Sequence, residues 1–224
     1  MFQFRLIAVL LIASLQAACS APQRTSVDHD ALAREITALA ADDQRLDMLV
    51  VNSNPKVKEP GFFEQKRRLQ MERTTRIKEM FDQIGFPTPP KFDKEVTSDF
   101  WLLVQHSDND PAFQQRVLDA MDALPAGVIE KTEQAYLVDR VLINTGKLQR
   151  YGTQVDFDFD QARAFPKPVE DPAGIDERRA SAGLESLSKY MNGMSEMNYM
   201  MNQSLYESEG VTQPWVYPAG YSDW

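Results

Sequence analysis

The stretch TSDFWLLVQHSDNDPAFQQRVLDAM, residues 97–121, decides the fold class. Thr97 or Ser98 is placed to cap a helix that carries Phe100, Trp101, Leu102, Leu103 and Val104. Asp110-Pro111 then supplies a capping carboxylate and a first-turn proline for a second helix. Phe113, Val117, Leu118 and Met121 recur at helical spacing and form its inner face. Pro125 and Gly127 close this pair of helices.

The same pattern extends outward in both directions. Upstream, Asp28 or Asp30 caps a helix with Leu32, Ile36, Leu39, Leu46, Leu49 and Val50 as its apolar positions. Asn52 to Gly61, with Pro55 and Pro60, breaks it. A further helix runs from Phe62 to about Ile84, with Leu69, Ile77, Met80, Phe81 and Ile84 inward. Lys66, Arg67, Arg68, Arg73, Arg76 and Lys78 read as its solvated face. Gly85 ends it, and Pro87, Pro89 and Pro90 forbid continuation. Downstream, Thr132 to Thr145 is helical, with Tyr136, Leu137, Val141 and Leu142 apolar, and Gly146 stops it. Tyr151 to Phe159 alone alternates like a strand, and Phe165 to Pro172 is a proline-rich loop. Asp171-Pro172 starts a short helix, and Leu184 to Tyr206 forms the last one. The expectation is an all-α, single compact multi-helix domain, with at most a small two-stranded element near Tyr151.

The N-terminus reads as an address. A single positive charge, Arg5, precedes an apolar run from Leu6 to Leu15 that is too short to span a bilayer. Small residues lead to Cys19, the one cysteine of the chain. This resembles a bacterial lipobox, in which the thiol is acylated and becomes the first residue. Gln16 stands where that motif has leucine, with Leu15 one position early. The alternative is an ordinary signal peptide cut after Ala17 or Ala18. Ser20 in place of aspartate directs a lipoprotein to the outer membrane by the general sorting rule, facing the periplasm, and several acyl chains would hold it there. The expected division is a signal peptide over 1–18, a tether over 19–27, a helical domain over 28–206 and an aromatic tail over 207–224.

Composition excludes some partners. The 224-residue chain carries a formal charge of −9, or −10 once Arg5 is removed. Such a surface repels phosphate backbones, so nucleic acid is not an expected partner. Membrane contact is expected through the lipid at Cys19 alone. No intrachain disulfide can form, so stability must come from packing.

From Trp101 onward the residues carry a resemblance. Trp101-Leu-Leu-Val-Gln105-His106-Ser-Asp108 is followed by Asp110-Pro111-x-Phe113-Gln114, Tyr136-Leu-x-Asp139-Arg140-Val141 and Gly146-Lys147-x-Gln149-x-Tyr151-Gly152-Thr153-Gln154. Pro168-Val-Glu170-Asp171-Pro172 and Asp176-x-Arg178-Arg179 continue it, and Asp43-Gln44 and Gly85-Phe86-Pro87-Thr88 fit more loosely. Together these resemble a bacterial family known as domain of unknown function 6624. That pattern has asparagine near position 73 and tryptophan near 86, where this chain has Arg73 and Phe86. The family has no established activity, so the resemblance implies a fold and a set of polar residues, not a reaction.

Those polar residues give two readings. His106 lies beside Gln105, Asp108 and Asp110, while the other histidine, His29, falls next to the tether. Asp139, Arg140, Tyr151, Gln154, Glu170, Asp176 and Arg178 are candidates to converge on His106 as a ligand pocket. In one reading the domain binds a small polar ligand or an envelope protein partner. In the other it is a hydrolase-like enzyme with His106 as base among carboxylates. A hydrogen-bonded network joining helix ends would use the same residue types. No nucleophile elbow, P-loop or dinucleotide fingerprint occurs, and no cofactor is expected.

No metal site is expected either. His106 lacks a second histidine at ligand spacing. Asp156, Asp158 and Asp160 mimic the start of a calcium loop, but Gln161 and Lys167 stand where it needs glycine and glutamate. That segment reads as an edge strand with its charges outward. Met191, Met194, Met197, Met200 and Met201 are dense enough to suggest Cu(I). Only Met194, Met197 and Met201 share a face, so core filling or partner docking is the simpler reading. Trp215, Tyr217, Tyr221 and Trp224 read as a tail folded back on the domain, with a contact surface as the alternative.

Overall fold

A computed structural model describes residues 27–51 and 54–224. The expected signal segment, Cys19 and all of the expected tether but Val27 lie outside the described residues. Among those described, the order is α1 (His29–Val51), a 3-10 turn (Pro55–Lys58), α2 (Phe62–Ile84), α3 (Lys94–Gln105), α4 (Pro111–Asp122) and α5 (Lys131–Asn144). Strands β1 (Val155–Asp158) and β2 (Arg163–Pro166) follow, then a second 3-10 turn (Pro172–Gly174), α6 (Ile175–Ser181), α7 (Leu187–Met201) and α8 (Gln203–Ser208). The all-α expectation holds, with one small hairpin after Tyr151. No described helix is long and apolar enough to cross a membrane.

Each helix begins and ends for a local reason. Asp28 caps α1, accepting from the Ala31 N–H at 2.9 Å. Asp110 caps α4 by accepting from Phe113, and Pro111 opens its first turn. Gly85, at φ 72°, terminates α2 and returns its N–H to the Phe81 carbonyl. The cap of α3 is Asp93, which accepts from Val96, not Thr97 or Ser98. Thr97 is instead buried within the helix, its hydroxyl donating back to the Asp93 carbonyl at 2.9 Å. A short polar residue before the apolar run was the right signal, but the run begins one turn earlier, at Val96.

The core has two main parts. Helices α1 to α5 enclose Leu32, Ile36, Ile77, Met80, Phe100, Leu103, Val104, Phe113, Val117 and Leu137. Helix α1 lies along α3 and α2, while α5 packs on α3 and α4. Val27, expected to belong to the tether, packs against this cluster. His29 belongs to α1 and sets its ring edge on Phe92, with centroids 5.3 Å apart. The second part gathers Ala164, Ile175, Leu187, Met191 and Tyr217 from the hairpin, α6, α7 and the tail.

The hairpin is antiparallel, pairing Val155 with Pro166 and Asp158 with Arg163. Its second strand occupies part of the segment expected as loop. Asp156 pairs with Lys167 and Asp158 with Arg163, so the acidic run is a charged edge. The methionines of α7 differ in burial: Met191 is buried, whereas Met197 and Met200 are exposed. The expected single last helix breaks at Asn202 into α7 and α8. The tail folds back as expected. Tyr217 is buried, its hydroxyl donates to the Ala164 carbonyl at 2.8 Å, and its ring meets Trp224 at 5.0 Å.

Candidate functional site

His106 is the C-cap of α3, and the corner that follows it is short and tightly tied. Ser107 donates to the Leu103 carbonyl at 2.9 Å and accepts from the Asp110 N–H at 2.9 Å. Thr74 of α2 reaches the same corner through Ser107 and Asn109. Gln114 of α4 donates to the Val104 and Gln105 carbonyls at the end of α3, the first of which also accepts from the Ser107 N–H. Gln70 of α2 donates to the His106 carbonyl itself. The corner therefore holds His106 and Asp108 in fixed positions at the meeting of α1, α2, α3 and α5.

Behind the imidazole stands α1. His106 Nδ1 hydrogen-bonds Asp43 Oδ2, and Asp47 Oδ2 lies 3.7 Å from the same nitrogen. The other Asp43 oxygen accepts from Arg73 at 2.5 Å, and the other Asp47 oxygen pairs with Lys66 at 2.7 Å. Asp43 is almost sealed, its side chain 4% exposed, while that of His106 is 25% exposed. Burial pushes the Asp43 carboxyl up. The hydrogen bond from His106 and the field of His106, Arg73 and Lys66 outweigh it and hold the group below its ordinary value. His106 Nε2 takes no hydrogen bond among the described residues and is not a buried unpaired atom, so solvent reaches it.

These groups line an open polar cleft of about 230 Å³ formed by Asp43, Asp47, Lys66, Gln70, Arg73, His106, Asp108 and Arg140. Arg140 donates to Asp108 at 2.8 Å, and Asn144 joins Asp108 at 2.8 Å. One oxygen each from Asp43 and Asp47 and one nitrogen of His106 lie within 4.8 Å of one another, close enough to hold a cation. The charges argue against a metal. Lys66 and Arg73 already neutralise both carboxylates, so a divalent ion would leave the cluster with net positive charge in a partly buried site. A second cleft of about 250 Å³ runs between Pro89, Lys94, Ser98, Val128, Glu130 and Glu133. Among the described residues it is lined by no histidine.

The structure divides the residues singled out from the sequence. His106, Asp108 and Arg140 meet at the cleft. Gln105 is buried just behind it, its Nε2 without a partner, and does not line the cleft. The other six do not converge on His106. Asp139 is fully buried and accepts from the N–H groups of Arg150, Tyr151 and Thr153 and from the Thr153 hydroxyl. The Tyr151 carbonyl accepts from Arg179 at 2.6 Å, and the Gln154 N–H donates to Gln149 at 2.6 Å. Glu170 presents its carbonyl to Arg178, which also bonds the Arg150 carbonyl and Asp171. Asp176 accepts from the Leu187 N–H at 2.7 Å and so fixes the start of α7. These residues tie the loop after α5 to the second part of the core.

At that seam the guanidinium of Arg179 is buried against the Tyr190 ring at 5.0 Å, and burial lowers its affinity for the proton.

Residues 30–202 match the profile of a Family of unknown function (DUF6624). The chain belongs to this family. No curated protein and no solved structure matches it. In this DUF6624 chain, sequence reasoning missed Asp47, Lys66, Gln70 and Arg73 at the cleft and gave Asp43 no role there. A signal existed for the acids. Asp43 and Asp47 follow Leu32, Ile36 and Ala40 at spacings of three and four, so they continue the buried stripe of α1. Arg73 stands one turn before Ile77 and faces the same interior, contrary to its expected place among the solvated residues of α2.

Proposed function

We propose that this DUF6624 protein is a lipid-anchored protein of the bacterial cell envelope whose helical domain holds a small polar ligand in the cleft at His106. Acylated Cys19 attaches it to the outer membrane, with the domain facing the periplasm. One observation carries the binding reading. A histidine is oriented from behind by a buried carboxylate while its second ring nitrogen stays open to a polar cleft. A purely structural histidine has no need of an open nitrogen, since buried polar groups are normally paired on every side. The test is a melting-temperature screen of the full chain against polar small molecules from an envelope extract. Binding should raise the melting temperature of the wild type and not that of His106→Gln. Hits that persist in that variant, or an extract with none, would refute this reading.

A hydrolase-like reading has its own support. Asp43 on Nδ1 fixes the ring so that Nε2 can accept a proton, the arrangement of a general base. Among the described residues no serine, threonine or cysteine lines the cleft, so the nucleophile would be water. Turnover of an ester or phosphoester that disappears in both His106→Gln and Asp43→Asn would favour this second reading.

A further inference from the structure

At the His106 cleft most carboxylate oxygens are used, while several cationic donors are not. Both Asp43 oxygens are engaged, by Arg73 and His106. Asp47 Oδ1 holds Lys66 at 2.7 Å. Asp108 Oδ1 accepts from Asn144 at 2.8 Å and Gln114 at 3.3 Å, and Oδ2 from Arg140 at 2.8 Å. Among the carboxylate oxygens of the cleft, Asp47 Oδ2 alone has no hydrogen bond, and it faces His106 Nδ1; the Gln70 amide oxygen is the other acceptor without one. On the donor side, Arg140 uses only Nη1 among the described residues. Its Nε–H is buried without a partner, and its Nη2 has none either. Arg73 uses only Nη2, and Lys66 has donors to spare after its pairing with Asp47.

A buried donor without an acceptor is unfavourable, and native proteins almost always supply one from protein, water or ligand. A cation entering this cleft would find every carboxylate oxygen but one already taken by a protein donor. An anion would find free donors on guanidinium and ammonium groups that already carry positive charge. Arg140 spends Nη1 on exposed Asp108 and leaves Nη2 of its guanidinium fork unpaired and not buried, so an oxyanion can take that donor.

We infer that the ligand of this cleft carries an oxyanion, a carboxylate or a phosphate, seated on Arg140 with Lys66 and Arg73 as supporting charges. This inference rests on reading the cleft as a binding site. His106 Nε2 then addresses a neighbouring polar group of the same molecule.

The test uses the full chain in mild detergent and follows the side-chain N–H signal of Arg140 and the imidazole signals of His106 by nitrogen-15 NMR. The probes are inorganic phosphate, acetate, methylammonium and glucose. Phosphate or acetate should shift the Arg140 signal saturably, with a dissociation constant of about 10 mM or tighter. Stronger binding of phosphate assigns a phosphate group, and stronger binding of acetate a carboxylate. Affinity should fall at least about tenfold in Arg140→Gln, the loss of one charged anchor. Arg140→Lys keeps the charge and loses the fork, so it should bind more weakly than wild type and more tightly than Arg140→Gln. Should Arg140→Gln fail to fold, Arg140→Lys and the wild-type signal decide. The inference is overturned if neither anion saturates the wild-type signal, or if Arg140→Lys binds both as tightly as wild type. If only methylammonium or glucose shifts His106, the cleft still binds ligands and the oxyanion inference alone falls. If no probe shifts either residue, both readings fall.

Discussion

Replacing Asp43 with alanine should cost about 3–5 kcal/mol, the usual loss when one partner of a buried ion pair is removed. The figure follows from what is left behind. Arg73, whose side chain is 10% exposed, would keep its charge with no carboxylate at 2.5 Å. Removing His106 is a different perturbation. It takes one hydrogen bond from a carboxylate that keeps Arg73, at a place where the lost side chain is 25% exposed. A hydrogen bond to a charged group contributes about 1.5–3 kcal/mol, and water can replace part of it here, so His106→Ala should cost about 1.5 kcal/mol. Urea unfolding followed by circular dichroism at neutral pH measures both. Acid supplies an independent check. The folded Asp43 carboxyl is held below its ordinary value of 3.8, so its stabilisation is complete above that value and is lost as pH falls through the lowered one. Asp43→Asn should therefore lose less stability than wild type when acidified below about pH 4. An equal cost for His106→Ala and Asp43→Ala would refute the assignment of the Arg73 pairing as the main stabilising contact of Asp43. Parallel losses of stability with acid in wild type and Asp43→Asn would refute the lowered Asp43 carboxyl.

Three further outcomes are expected. Asp139→Ala removes the acceptor of backbone donors from Arg150, Tyr151 and Thr153, and should cost at least about 3 kcal/mol by urea unfolding, since each unpaired buried donor costs about 1–3; a loss below about 1 kcal/mol would contradict the buried role. Tyr217→Ala should destabilise the domain by about 3 kcal/mol, because the ring fills the second part of the core. A melting temperature equal to wild type would show that the tail does not pack there in solution. Cys19→Ser should release the protein from the membrane fraction of the producing cell, whereas a wild type already soluble in the periplasm would exclude lipidation.

The fold was legible because its signals are local. Asp28, Asp110-Pro111, Gly85 and Gly146 punctuate the chain, and the apolar spacing between them gives the helices. Where the reading slipped, tertiary contact overrode a local preference. Thr97 was available as a cap, but burial drew it inside and Asp93 took its place. Arg73 belongs by type to a solvated face, yet a carboxylate from another helix makes its burial tolerable.

The site was legible only in its centre. Sequence alone marked His106, Asp108 and Arg140, because they stand together in motifs around one helix end and one helix. It could not assemble the cleft, because Asp43 and His106 are 63 residues apart and come together only when α1 lies along α3. Nor could it separate Asp139 from Arg140. These neighbours in the chain point to opposite duties, one buried under the loop at Arg150 and the other on the cleft. Adjacent positions on a helix diverge by about 100° around its axis, so which side meets core and which meets solvent is decided by the packing of the other helices.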